Sequence, residues 1–237
     1  MKAFSHCTNL KEIVLPNSVM FLGGGAFDDC KNLERIKIPS SLVKIEDYMY
    51  KFFTGCDNLS EIVVENSNPI YDSRNNSNAI IITKTNELIV GSSKTIIPDT
   101  VTTIGDGAFQ FRLGLKKIQI PASVKKLSDS AFRCCRDLEE VSLSEGLCEI
   151  GKEIFSNCKN LHKITILSRI YFKYPIFENC RNVKTLVLGP GIKNFCDNFF
   201  DSFDDSLENI YVPYKKVDYY KRRIPGKLHG IIKELPK

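Results

Sequence analysis

The amino-acid sequence predicts an α/β repeat solenoid: a chain wound into stacked rungs, with a parallel β-sheet on one face and short helical turns or extended segments on the other. Three observations lead there. Phenylalanine recurs at Phe4, Phe27, Phe53, Phe109, Phe132, Phe155, Phe177 and Phe200, in steps of 23, 26, 56, 23, 23, 22 and 23 residues. Three residues later stands a cysteine in six units, at Cys7, Cys30, Cys56, Cys135, Cys158 and Cys180, with Arg112 and Phe203 in the other two. After a further apolar residue, such as Leu33 or Leu138, comes an apolar pair spaced by two, such as Ile36/Ile38 or Val141/Leu143. That period marks a strand with one buried face. No unit can bury its own apolar residues, but strands stacked ~4.8 Å apart turn each repeat position into an internal file.

In chain order, residues 1–64 hold the first repeats. The chain enters mid-repeat at Ala3-Phe4 without an N-terminal cap, so an open apolar rung is expected, as in a truncated parent or an end-to-end contact between copies. Proline commonly closes the strand, at Pro16, Pro39, Pro121 and Pro213, because it has no N–H for the ladder. Beyond it, pairs such as Val19/Leu22, Val101/Ile104, Val124/Leu127 and Leu147/Ile150 predict a second short extended segment. The Ala-Phe segment, as in GDGAFQF, is too short for an independent helix and reads as one or two helical turns on the opposite wall. Residues 65–100 form an irregular repeat in which AIII and ELIV read as a hairpin over Thr85-Asn86. Residues 101–212 resume the regular repeats, the last regaining register at Leu207, Ile210 and Val212. Residues 213–237 read as a basic C-terminal cap, with Leu228, Ile231 and Ile232 closing the core. The column Asn9, Asn32, Asn58, Asp137, Asn160 and Asn182 reads as turn-capping, since Asn and Asp tolerate left-handed backbone.

Composition narrows the function classes. A hydrophobic fraction of 43% over 237 residues supports a substantial core rather than disorder. The net charge of +5 is a property of the segment from Pro213 onward, which holds eight Lys/Arg against two acids. Nine cysteines, odd in number and without CxxC spacing, fit free buried thiols better than a disulfide framework. Neither a signal-peptide pattern nor a run of 18 apolar residues is present.

The unit AFxxCxxLxxIxLPxSVxxI, seen in AFSHCTNLKEIVLPNSVMFL and, less its cysteine, in IGDGAFQFRLGLKKIQIPASVKKL, resembles the BspA-like leucine-rich repeat family across nearly the whole chain. The resemblance implies one leucine-rich repeat domain over residues 1–237, a right-handed superhelix, and a non-enzymatic binding module. It further implies a cell-surface or secreted protein of anaerobic bacteria or some protozoan parasites, adhering to host extracellular matrix or to another cell surface. The rival expectation is a cytoplasmic protein-interaction scaffold without an adhesive role.

No residues select a catalytic, cofactor or metal site. GSSKT at Gly91 to Thr95 lacks the glycine that a phosphate-binding loop needs before its lysine, and His6, His162 and His229 are scattered. The column cysteines read as small buried hydrophobes, with Cys134, outside the column, as the thiol expected to be most exposed. The solvent-facing strand positions say more. One column alternates in charge through Glu12, Arg35 and Glu61, then Lys117, Glu140 and Lys163; another runs Val14, Lys37, Val63, Gln119, Ser142, Thr165, Val187 and Tyr211. Glu12, Val14, Arg35, Lys37, Lys117, Gln119, Glu140, Lys163 and Tyr211 are therefore the candidate partner-binding face, for a protein or glycan. Charge cancellation along it argues against nucleic acid, which needs a coherent positive footprint.

Overall fold

The computed structural model describes residues 2–46, 53–203 and 205–236. The chain winds into a β-solenoid of about nine turns with parallel sheets. Strands Glu12–Val14, Arg35–Ile38 and Glu61–Val64 form one three-stranded parallel sheet. Strands Lys117–Ile120, Glu140–Leu143, Lys163–Ile166, Thr185–Leu188, Asn209–Val212 and Ile232–Glu234 form a six-stranded one on the same repeat positions. Register follows the repeat: Ile13 lies over Ile36 and Ile62, and Ile118 over Val141, Ile164, Leu186 and Ile210. In the strands between the first and the last every second residue is buried, as period two requires, and strands stop at or just before the prolines. The second apolar pairs form short strands of their own, among them Phe21–Leu22, Thr103–Ile104, Lys126–Leu127 and Glu149–Ile150.

The opposite wall departs from expectation. The Ala-Phe segments of the earlier units are turns, whereas Phe200–Phe203 of the last unit is a 3-10 helical turn; what sets the earlier units apart is two left-handed residues per unit. Two positions before the phenylalanine, Gly25, Gly107, Ser130 and Glu153 have positive φ; two positions after it, His6, Asp29, Gly55, Phe111, Cys134, Asn157 and Asn179 do. Alternating right- and left-handed backbone points every second amide along the solenoid axis rather than along a helix. Ser130, Phe132 and Cys134 accordingly donate N–H bonds to the carbonyls of Lys152, Ile154 and Ser156, at 2.9, 2.8 and 2.9 Å. The asparagine column is not the left-handed one. Instead its side chains tie neighbouring rungs: Asn32 Nδ2 donates to the Thr8 carbonyl at 2.8 Å and Asn182 Nδ2 to that of Lys159 at 2.7 Å, while Asp137 accepts the Gly114 amide at 2.8 Å.

Between the walls run the predicted files. Phe27 stacks between Phe4 and Phe53, with ring centroids 5.3 and 5.6 Å away. The file restarts at Phe109, stacked on Phe132 at 4.7 Å, and runs through Phe155 to Phe177 at 5.1 and 5.2 Å. Burying each ring contributes roughly 2–3 kcal/mol and each stacked pair about 0.5–1.5 more. At the far end Phe177 packs against Phe199 and Phe203, so Phe203 and not Phe200 follows it; the file dissolves into a cluster with Phe172, Phe195 and Phe200.

Five of the six column thiols are buried, Cys7 of the first rung being only half-buried, and the five are also donors. Sγ of Cys30, Cys56, Cys135, Cys158 and Cys180 bonds the carbonyl of Phe4, Phe27, Phe109, Phe132 and Phe155 in turn, at 2.9 to 3.3 Å. Arg112 explains itself by the same requirement. Its preceding rung is the irregular unit, and the longer side chain reaches the Gly91 carbonyl through Nε and the Cys56 carbonyl through Nη1, both at 3.0 Å.

In the irregular unit, Ala79–Ile82 and Glu87–Gly91 form an antiparallel hairpin that joins the sheet of short strands, pairing in parallel with Thr103–Ile104. It therefore adds no strand to the main face, which is split between Val64 and Lys117. The Phe109 ring packs against Gly91, so close that a Cβ there would sit 2.0 Å from the ring. Asn68 is buried and saturated: Nδ2 donates to the Pro39 and Leu42 carbonyls, and Oδ1 accepts the Ile70 and Tyr71 amides, all within 2.9 Å. At the C-terminal end, helix Val217–Lys221 carries Tyr220 into the core, its hydroxyl donating to the Gly189 carbonyl, while Tyr219 donates to that of Ile192 at 2.9 Å. The first rung is the least covered: Val14, Met20 and Phe21 are at least half exposed and Phe4 is 37% exposed.

Candidate partner-binding face

The nine candidate residues all lie on solvent-facing strand positions, in two groups. Glu12, Val14, Arg35 and Lys37 belong to the three-stranded sheet; Lys117, Gln119, Glu140, Lys163 and Tyr211 belong to the six-stranded one. The break between Val64 and Lys117 keeps the groups on separate sheets, which the repeat spacing alone did not reveal.

In the first group Glu12, Arg35 and Glu61 share one row. Arg35 bonds Glu61 at 2.8 Å and lies 3.5 Å from Glu12; the bond to Glu61 and the two negative charges hold its guanidinium above its ordinary pKa. Lys37 is taken by Glu65 at 2.9 Å, and that bond holds Glu65 below the usual carboxylate range. Val14, 58% exposed, is the apolar spot of this half.

In the second group Lys117 bonds Glu140 at 2.6 Å, with Lys163 on the other side of the carboxylate at 3.9 Å. The Lys117 hydrogen bond, more than the two lysine charges, lowers Glu140 and correspondingly raises Lys117. Alongside runs the row Gln119, Ser142, Thr165, Val187 and Tyr211. Because Ser142 and Thr165 are short, the sheet dips between the two rows into a shallow trough of about 440 Å3, lined by Lys117, Gln119, Glu140, Ser142, Lys163 and Thr165. Four of the candidates line it; Ser142 and Thr165, visible in the sequence as the small members of the column, belong with them. A second ion-pair row, Lys116 with Glu139 at 3.4 Å and Lys184 with Glu208 at 3.0 Å, flanks the strands one residue earlier. Exposed pairs of this kind contribute at most about 1 kcal/mol each, so they set charge complementarity more than stability.

The thiols offer no reactive centre on this face. Burial pushes Cys56 and Cys135 up to about 12 and Cys158 well above its ordinary value. The most exposed thiol is Cys148, not Cys134, which sits half-buried on its left-handed turn. Among the described residues no group of three or more His, Cys, Asp or Glu is placed to hold a metal ion, and no helix is long and apolar enough to cross a membrane.

The family model described as the BspA type leucine-rich repeat region matches residues 1–87 and 89–208 in six copies. Among solved structures, a leucine-rich repeat protein from Eubacterium ventriosum ATCC 27560 is similar at 23% identity and a TM-score of 0.67, over 85% of this chain and 54% of its own. A leucine-rich cell-surface protein of Faecalibacterium prausnitzii A2-165 is similar at 22% identity and 0.54, over 90% and 56%. The pneumococcal vaccine antigen PcpA is similar at 16% and 0.55, over 95% and 66%. At these identities the likenesses bear on fold alone, and the chain spans little more than half of the first of these proteins. No curated protein matches. Leucine-rich repeat proteins are generally protein-interaction modules, and the fold is typically a non-enzymatic binding one. Both the repeat-by-repeat match and the stacked files place this chain in the BspA-type leucine-rich repeat family.

Proposed function

We propose that the chain is the binding module of a cell-surface or secreted protein, and that it holds an extended protein or glycan segment in the trough of its six-stranded sheet. The observation that carries this reading is the trough itself: a dip with a short-side-chain floor, a charged wall from Lys117 to Lys163, and Val187 and Tyr211 beyond it on the next two rungs. Adhesion to extracellular matrix or to another cell is the role that such a surface would serve, and the similar Faecalibacterium protein is itself described as a cell-surface protein.

Capture of a panel of purified extracellular-matrix proteins tests the reading. Gln119→Trp, which fills the trough, and Tyr211→Ala are expected to reduce capture at least about ten-fold, the worth of one good contact. Lys37→Gln, on the separate sheet, is expected to leave it unchanged. Equal capture by all three variants contradicts the trough. A second reading, an intracellular scaffold, draws on the nine unpaired cysteines, which suit a reducing compartment. Fractionation of the native host separates the two.

A further inference from the structure

A second polar surface lies away from the trough, on the loop edge between the phenylalanine wall and the main sheet. The residue after each column cysteine is basic in three successive rungs: Arg136, Lys159 and Arg181, 23 and 22 residues apart. All three are exposed. Direct bonds show the rungs to be adjacent there, since the Asn160 amide donates to the Arg136 carbonyl at 3.3 Å and Asn182 Nδ2 to the Lys159 carbonyl at 2.7 Å. Nearly every cation of the sheet face is paired with an acid, whereas Arg136 and Lys159 have no ion-pair partner among the described residues.

Lys159 and Arg181 line a recess of about 310 Å3 together with Asn157, Asn179 and Asn182, and no carboxylate lines it. Asn179 Nδ2 donates to Asn157 Oδ1 at 3.4 Å, so the amides form a short ladder pointing along the stripe. The backbone ladder of the wall also ends at this rung. Phe155 and Asn157 donate their N–H groups to the carbonyls of Ile176 and Glu178 at 2.8 Å, while the amides of Phe177 and Asn179 find no acceptor among the described residues. The recesses at both ends are of mixed charge, Arg181 and Asn179 meeting Glu178, Asn198, Asp201 and Ser202 at one and Arg136 sharing the other with Asp29, Lys31 and Asp57, so the carboxylate-free part is the recess of Lys159, Arg181 and the three asparagines.

From this we infer that the edge Arg136–Lys159–Arg181, with Asn157, Asn179 and Asn182, is a binding site for a linear acidic polysaccharide. Guanidinium and ammonium groups spaced by one rung, ~4.8 Å apart, meet carboxylates along the polymer. The carboxamides, each able both to donate and to accept, meet its hydroxyls. A single-stranded nucleic acid would need aromatic platforms, which this recess lacks. An acidic peptide would use the cations but has no hydroxyls for the amides.

Hexagalacturonate is the probe, measured by calorimetry against maltohexaose, hexaglutamate and a hexathymidine strand. The protein is expected to bind hexagalacturonate in preference to all three. Arg136→Gln combined with Lys159→Gln should weaken it at least about ten-fold and flatten its salt dependence. Asn157→Gly combined with Asn179→Gly keeps the left-handed backbone, where glycine is at ease, and should weaken hexagalacturonate about ten-fold while leaving any residual hexaglutamate binding unchanged. Changing Lys215, Lys216, Lys221 and Arg222 of the C-terminal segment to Gln should have no effect. The inference is overturned if hexagalacturonate does not bind, if hexaglutamate or hexathymidine binds as tightly, or if the C-terminal variant carries the loss. Melting temperatures of all variants close to wild type establish that they fold.

Discussion

At the scale of single residues, the column cysteine is chosen for two properties at once: it is small enough for the core, and its thiol serves the phenylalanine carbonyl of the rung before. Reading Cys as a small hydrophobe captured the burial and missed the bond. The clue was Arg112, a poor hydrophobe but a strong donor, standing in the same column. If donation matters, Cys135→Ser should be more stable than Cys135→Ala, and the alanine variant should lose about 1–3 kcal/mol in urea unfolding because the Phe109 carbonyl is left dry. The reverse order would return the column to packing alone. Asn68 makes a similar case with four bonds instead of one. Asn68→Asp places a carboxylate against the Pro39 and Leu42 carbonyls and should cost more than about 3 kcal/mol, whereas a loss under about 1 kcal/mol would mean that those bonds are not formed in solution.

Among elements, the irregular unit is where the repeat spacing carried least information, because its strands turn into the sheet of short strands and its side chains replace missing rung contacts. The hairpin itself was legible from AIII, ELIV and the Asn86 turn; its consequence for the main face was not, since nothing in the spacing says which sheet a hairpin will join. Its base is held by Asp72, which receives Arg74 Nε at 2.7 Å and Thr83 Oγ1 at 2.8 Å, while Arg74 Nη1 reaches Asn86 at 2.7 Å. Burial alone would raise Asp72, but the bonds from Arg74 and Thr83 outweigh it and hold the carboxyl below its ordinary value of 3.8. A depressed carboxylate contributes stability that is fully present above its unfolded value and is lost as pH falls through the folded one. Acid titration of melting temperature should therefore show a loss below about pH 4 that is smaller in Asp72→Asn, the variant being the less stable of the two near neutral pH. Parallel curves would remove Asp72 from the account. Gly91→Ala, which drives a methyl into the Phe109 ring, should unfold at least about 2 kcal/mol more easily.

Over the whole molecule, strand register was readable because it depends on a repeated residue type: Ile13 over Ile36 over Ile62, Ile118 over Val141 over Ile164. The opposite wall was not, because its left-handed positions hold His6, Asp29, Gly55, Phe111, Cys134, Asn157 and Asn179, seven residues of six types. There the conformation is imposed by amide bonds between rungs, and almost any side chain is carried along. The last turn was misread for a related reason: Phe199, Phe200 and Phe203 are alike in composition, and packing decides which one follows Phe177. Of the candidate face, the row positions were legible and the trough was not, since it arises from the shortness of Ser142 and Thr165 relative to their neighbours. All of this depends on rungs that superpose so closely that five sulfurs are sealed inside. Site-resolved alkylation of the native protein with iodoacetamide near neutral pH, read by mass spectrometry, tests that directly. Cys148 should react first, Cys7, Cys134 and Cys196 more slowly, and Cys30, Cys56, Cys135, Cys158 and Cys180 only after denaturant is added; labelling of those five at the rate of Cys148 in the folded chain would contradict the stacked-rung account.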